Sequence, residues 1–426
     1  MERNLKAALV ASALLGAAPL AAAQVELRVM YYTDGIEDQV LGEQISRFEA
    51  ENPGIKVALD VVAYKQIVEG LPVQLAAGEG PDIARVTDLG GLAKYYLDMR
   101  PYLEDAGYWV ENFGPFLPWL RQEGDTESVC GYMTQMTVTG PFVNKTLFEQ
   151  AGVAMPAKGA TWEDWAAAVN EVARKLDIPI PLAMDRSGHR MAGPAISQGA
   201  AYFDAAGEPA VVDEGFKRMA QLLVDWHNDG TMSKELWGSV SGSSYRGANE
   251  EFGNAQVVMY MSGSWQIAQF SEQIGDDFDW WAVPNPCGPG TCTGMPGGAA
   301  MVAFKDTEHP AEVTKLMEFF AREDNLEDFY SRTLFIPGHV GLSAKGIDFQ
   351  TDNPNAKHAL GVFAEHIGEI SPTAFQLQGY PFNRVMFNAA ISRVNQAIVG
   401  EMSLDEAYGR IEQDVEQQIA EKKRGG

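Results

Sequence analysis

Strand-like and helix-like segments alternate along nearly the whole chain, and that alternation restricts its fold more than any other feature. Val25 to Tyr32 (VELRVMYY) reads as a first strand. Thr33-Asp34-Gly35 follows as a turn, in which Asp34 or Thr33 can cap the next helix. That helix runs through GEQISRFEAENP, with Ile45 and Phe48 on one face, and stops at Asn52-Pro53-Gly54. KVALDVVA (56–63) is a second strand. QIVEGLPVQLAAG is a helix bent or delayed by Pro72, and DIARV is a short strand after the Gly80-Pro81 break. TVTGPFVN (137–144), QVVMYM (256–261) and residues 299–304 are further strands. A helix starts at Thr161, where Thr161 and Asp164 approximate a capping box. Helices are also expected over 310–322, 324–333 and 356–367, and over most of 385–423. This order predicts an α/β sandwich around a largely parallel sheet. There is no internal repeat, no low-complexity linker and no block of like charge.

The first 23 residues stand outside that pattern. Arg3 and Lys6 precede an apolar run, AALVASALLGAAPL, and Ala21-Ala22-Ala23 supplies a small-residue cleavage site before Gln24. This is the layout of a secretory signal peptide. Its apolar core is too short to span a bilayer as a helix. It lacks the polar face that a surface helix of a folded domain needs. No Cys stands at the cleavage point, so lipid attachment there is not indicated. The exported chain is expected to be soluble, in the periplasm of a cell with two membranes. Its 403 residues exceed what one hydrophobic core usually serves, which predicts two lobes. The precursor carries a formal charge of −26, and losing two basic residues and one acidic residue takes it to −27. A chain this acidic is a poor partner for nucleic acid or an anionic membrane.

Three cysteines are present. Cys287 and Cys292 share the turn-rich loop PNPCGPGTCTGMPGG, where an oxidising compartment favours a disulfide of modest benefit because the loop it closes is short. The same spacing would begin a metal site only with a second Cys or His pair, and none is nearby. Cys130 is left over, as a buried or a reactive thiol.

Six segments together resemble a known family. FEAENPGIKV followed by Tyr64 resembles its opening strand–helix–strand, and AAGEGPDIARV resembles its "aaG-x-PD" segment. FVNKTLFEQAGV followed by TWEDW is similar to "YNK-x-LF-x-x-aG … TW-x-E". MYMSGSW resembles "m-x-GsW", GGAAMVAF is similar to the "GG" strand of the returning lobe, and VGEMSLDEAYGRIEQDVEQ is similar to the C-terminal "G-x-x-s-x-eeA" helix. The family is that of the extracellular solute-binding proteins of family 1, the maltose-binding-like components of bacterial ABC importers. The resemblance implies a two-lobed periplasmic-binding-protein fold with a ligand cleft and several hinge crossovers. It places one lobe at 25–137 plus 296–341 and the other at 138–295 plus 342–426. It implies a carbohydrate ligand, hinge closure, ABC permease subunits as partners, and neither cofactor nor metal. The expected protein is a monomer. Arg85-Val86-Thr87 departs from the family, which often has a sugar-stacking aromatic there.

Candidate ligand-binding residues follow from position. Trp265 ends a buried strand at the small-residue turn Ser262-Gly263-Ser264, and the family places a stacking aromatic there; the alternative is a core Trp. Asp88, and Thr33 with Asp34, follow strands at their C-terminal ends, where α/β proteins bind ligands; their alternative is helix capping. Gly297 and Gly298 allow backbone N–H groups to approach a ligand, or simply make a tight turn. Arg384 can fork onto hydroxyls or an anionic group, or form a surface ion pair. Tyr202, Tyr64, Gln135 and Tyr245 complete the candidates. Trp280 and Trp281 are adjacent, so at most one faces a pocket. His339 is read as structural.

An enzyme is the competing class. No His-Glu-x-x-His or G-x-S-x-G motif is present, and His366 with Glu369 is a lone helical pair. Gly288, Gly290 and Gly294 miss the dinucleotide spacing. A carboxylate pair of a secreted carbohydrate-active enzyme is always available among 58 acidic residues, but none is singled out. A ligand-binding protein serving a chemoreceptor is the third reading. Mass spectrometry of the exported protein is expected to find Gln24 as the first residue; an intact Met1 would refute the leader.

Overall fold

The computed structural model describes residues 24–425, so the leader and its cleavage site lie outside the described residues. Eight strands form one sheet: β1 (Val25–Tyr31), β2 (Ile55–Val61), β3 (Ile83–Val86), β4 (Gly131–Asn144), β5 (Ile180–Met184), β6 (Val257–Gly263), β7 (Trp280–Ala282) and β8 (Pro296–Ala303). Their order is β2-β1-β3-β8-β4-β6-β5, with β7 also beside β4. The sheet is mixed rather than largely parallel. β1 runs parallel to β2 and β3, and β5 to β6, but every pairing of β4 and β8 is antiparallel. The antiparallel strands are those that carry the chain across the middle of the molecule.

β4 makes that crossing. It starts six residues earlier than the apolar pattern suggested, and all 14 of its residues are buried. Residues 131–138 pair with β8, and residues 139–144 pair with β6 and β7. At the changeover Thr139 N–H donates to the Met295 carbonyl at 2.9 Å, and the Thr139 hydroxyl accepts from Met295 N–H at 2.8 Å. Ser264 N–H donates to the Val138 carbonyl. The strand therefore changes partners with these backbone groups bonded.

The core divides along the same line. Two clusters draw on residues 27–136 and 299–342, and two on residues 138–295 and 334–419. The helix after β1 spans Glu37–Glu51 and buries Val40, Leu41, Ile45 and Phe48. No side chain of Thr33 or Asp34 caps it. The Glu37 carboxylate instead accepts from the N–H groups of Asp34 and Gly35, and Asp34 is engaged elsewhere. The capping box at Thr161 is complete: its hydroxyl accepts from Asp164 N–H and its N–H donates to Asp164 Oδ2.

Cys287 and Cys292 are joined in the loop before β8, and Cys287 exchanges backbone hydrogen bonds with Ala160 and Trp162 at the start of that capped helix. Trp280 is fully buried; Trp281 stacks on His358 with ring centroids 4.3 Å apart. His339 caps the Val340–Lys345 helix and meets the Tyr108 hydroxyl at 3.1 Å. Cys130 is buried, which pushes its thiol up to about 11. Thiol labelling of the unfolded, unreduced protein is expected to find one reactive thiol per chain; three would sink the disulfide.

Candidate functional site

A cavity of about 180 Å³ lies between the two halves, at the C-terminal ends of β1 and β6 and beside β4 and β8. Strand alternation puts Gln135 and Thr137 of β4 on its wall and turns Met136 away. Gly297 and Gly298 of β8 lie next to them. Gly298 has φ +148°, and a Cβ there would strike the Gln135 carbonyl, so this close crossing of β4 and β8 needs glycine.

The β1 side is organised by a buried arginine. Arg85 of β3 donates to the Tyr32 carbonyl at 2.7 Å, to Asp34 Oδ2 at 2.7 Å and to Glu37 Oε1 at 3.3 Å. Its guanidinium also sits 4.0 Å from the Tyr32 ring centre. Asp34 therefore reaches the cavity wall as one half of an ion pair, which is why it does not cap the helix. Tyr32, Tyr64 and Tyr245 continue the wall as an aromatic arc, with successive centroids 5.0 and 5.8 Å apart.

The opposite side is built on β5 and β6. A fully buried Asp185, just after β5, accepts from the hydroxyls of Tyr260 and Ser262 and from Arg190 Nε. Arg190 donates from Nη1 to His189 Nδ1 at 3.1 Å, and His189 Nε2 donates to the Pro296 carbonyl at 3.0 Å. That pair of contacts fixes a neutral imidazole with its proton on Nε2. The free face of Arg190 lies over the Trp265 indole, 4.1 Å from its centre. Trp265 follows Gly263, where a Cβ would collide with the six-membered ring, so the glycine seats the indole against the strand end. Gln266 and Gln269, three apart on the helix after Trp265, also face the cavity. Gln135, Gln266 and Gln378 each carry a buried amide oxygen with no hydrogen-bond partner.

Several contacts bridge the mouth of the cavity. The Arg384 guanidinium, from the Asn383–Ile398 helix, donates to Thr87 Oγ1 at 2.8 Å, and Thr87 also meets the Tyr64 hydroxyl at 3.1 Å. Tyr64 packs edge-on against Tyr245, and Trp119 lies 5.1 Å from Phe375.

Of the residues expected from sequence, this cavity brings together Trp265, Asp34, Gly297, Gly298, Arg384, Tyr64, Gln135 and Tyr245. Three stand elsewhere. Tyr202 is buried in the core against Phe216, with φ +60°. Asp88 borders an outer crevice next to the cavity, and Thr33 is half-buried and lines neither. Arg190, His189 and Gln378 were missed. Arg190 and His189 follow a strand just as Asp34 does, but GHRMAGP carries no pattern that marks it out. Among the described residues no His, Cys, Asp and Glu side chains cluster as metal ligands, and no helix is long and apolar enough to cross a membrane.

The fold and this interlobe cavity define a two-lobed binding protein. The profile of the bacterial extracellular solute-binding protein family matches residues 43–356, and the chain belongs to that family. A binding protein of Brucella abortus (strain 2308) is 21% identical over 77% of this chain and 82% of its own length. Among solved structures, an ABC substrate-binding protein of Listeria monocytogenes in complex with cycloalternan has a TM-score of 0.78 at 16% identity, covering 93% of this chain and 99% of that one. A Thermotoga lettingae TMO solute-binding protein bound with alpha-D-tagatose has a TM-score of 0.75 at 14% identity, covering 92% and 99%.

Burial leaves three imidazoles neutral: His189 titrates down at about 3, and His227 and His366 at about 4. Unfolded imidazoles titrate near 6.5. The stability they contribute is complete above about pH 6.5 and is lost as pH falls toward 4, by about 1.4 kcal/mol per pH unit for each. Glu37 acts in the opposite sense as a single group, because burial raises it to about 7 against the pull of Arg85. The melting temperature is expected to fall steadily from pH 6.5 to 4.5. A flat profile would contradict the neutral assignments.

Proposed function

We propose that this protein captures a carbohydrate between its lobes and delivers it to an ABC permease in the inner membrane. The lobes are taken as 25–137 plus 296–341 and 138–295 plus 342–426. The exported form is taken as a periplasmic monomer that begins at Gln24. The carrying observation is one cavity between the halves that combines an indole, a tyrosine arc and amide oxygens without partners. A sugar presents C–H faces that pack on aromatic rings, and hydroxyls that donate to such oxygens. The volume lies below the 300–1,000 Å³ or so of drug-sized pockets, which favours a mono- or disaccharide or a polyol over a long oligosaccharide. The ligands named for the Listeria and Thermotoga proteins belong to the same chemical class.

Both lobes contribute to the cavity, so a ligand inside it contacts both only in the closed form and stabilises that form. No catalytic role is assigned to any residue. The roles implied by a secreted carbohydrate-active enzyme would require product formation when purified protein is incubated with sugars. A thermal-shift screen over neutral sugars, polyols and sugar acids is expected to find a stabilising ligand and no product. A screen without any stabilising sugar would overturn the reading.

Trp265 is the residue whose loss separates binding from folding. Trp265→Ala is expected to weaken sugar binding by about thirtyfold, or ~2 kcal/mol, with little change in melting temperature. A core tryptophan would instead cost the fold about 3–5 kcal/mol. Calorimetric titration beside a melting curve distinguishes the two. Unchanged affinity with a much lower melting temperature would remove Trp265 from the site.

A further inference from the structure

The cations around the cavity are not evenly matched. Asp34 is paired with Arg85, and Asp185 with Arg190. Arg384 forms no ion pair among the described residues: its Nη2 donates to the neutral hydroxyl of Thr87, the Tyr64 phenol lies beside it, and Asp88, across the outer crevice, is the carboxylate that acts on it without reaching ion-pair distance. Arg190 uses Nε and Nη1 on Asp185 and His189, which leaves Nη2 uncommitted. Both guanidiniums stand on the boundary between the cavity and the outer crevice of about 310 Å³.

Both guanidiniums act on Tyr64. Burial alone would raise the Tyr64 phenol, yet Arg384 and Arg190 together bring it below the ordinary tyrosine value. The positive influence is confined to the Tyr64 side, since burial and Asp185 push the Tyr245 phenol up on the same wall. Asp88 and Glu69 border only the outer crevice, which Arg186, Arg190, Arg384 and Lys422 also line, so cations outnumber carboxylates there four to two. Arg186 is itself without a carboxylate, bonded to the carbonyls of Gly242 and Ser244.

We propose that the ligand is a sugar acid whose single carboxylate is received by Arg384, with the free Nη2 of Arg190 beside it. A guanidinium fork matches the two oxygens of a carboxylate, and a hydrogen bond with both partners charged is stronger than one to a neutral hydroxyl. With no carboxylate at ion-pair distance, Arg384 has room for one from the ligand. The hydroxylated remainder of the ligand would lie along the amides and rings. This proposal rests on the carbohydrate reading above and narrows it.

Calorimetry with matched pairs tests it: D-glucuronate against D-glucose, D-galacturonate against D-galactose, and D-gluconate against D-glucitol. At least one acid is expected to bind about tenfold or more tighter than its neutral partner. Arg384→Gln is expected to shrink that preference at least tenfold, and Arg384→Lys to retain part of it, with melting curves confirming that both variants fold. Should neutral sugars bind as tightly as the acids, the carboxylate site falls and the sugar reading stands. Should the preference survive Arg384→Gln, Arg384 is not the receiver and the proposal is overturned. Should none of the six bind, while other sugars do in the thermal-shift screen, the sugar-acid assignment alone fails; if no sugar binds at all, both fail.

Discussion

One strand makes this molecule a single object. β4 is buried along its full length because it belongs to two halves of the sheet at once. A strand buried on both faces reads as a nearly continuous apolar run. GYMTQMTVTGPFVN departs from that run at Thr134, Gln135, Thr137 and Thr139. Thr134 and Thr139 bond to neighbouring backbone, Gln135 and Thr137 face the cavity, and the register shift between Met133 and Gln135 re-aims the chain there. The need to pass a strand between lobes and the need for a polar wall are met by the same residues.

The second constraint is electrostatic. Arg85 is completely buried, and a buried guanidinium is tolerable only with partners that use its donors. Tyr32 and Asp34 from the turn after β1, and Glu37 from the first residue of the helix, engage its Nη1 and Nη2, while Nε is left without a partner. Removing one member of such a network typically costs about 3–5 kcal/mol, because the other charge is left buried. The turn is thus held by charge where a helix cap was expected. This also gives a physical sense to the missing aromatic after the PD segment: an arginine in the strand stacks on Tyr32, and the aromatic surface of this wall comes from β1 and Tyr64 instead.

Much of the architecture was legible because it rests on local rules. The capping box at Thr161, the break at Asn52-Pro53-Gly54 and the apolar run of β6 each announce an element boundary within a few residues. The direction of the strands was not legible, since parallel and antiparallel pairing depend on which distant strand arrives alongside. The site was half legible for the same reason. Trp265, Asp34 and Gly298 carry positional signals at strand ends and glycines. Arg190 becomes a site residue only because Gly188 lets its helix start against the Phe387 carbonyl, a contact 199 residues distant in sequence. Tyr202 misled because an isolated tyrosine near glycines and alanines looks the same in a core as in a cleft.

The acidic surface and the basic cavity answer to different ranges. At physiological ionic strength charges more than about 8 Å apart in solvent are largely screened, so the surface repels an approaching anion only at close quarters. Within the cavity the two guanidiniums act at short range, where screening is weak. Arg384 is half-buried at the mouth, with the hydroxyls of Thr87 and Tyr64 beside it and no carboxylate at ion-pair distance, so a neutral sugar would give its guanidinium no charged partner. A ligand carboxylate would supply that partner, and because Thr87 and Arg384 come from opposite sides of the mouth, it would be held where the two sides meet. The charge that selects the ligand would then also favour closure, coupling recognition to the conformation that a solute-binding protein has to signal.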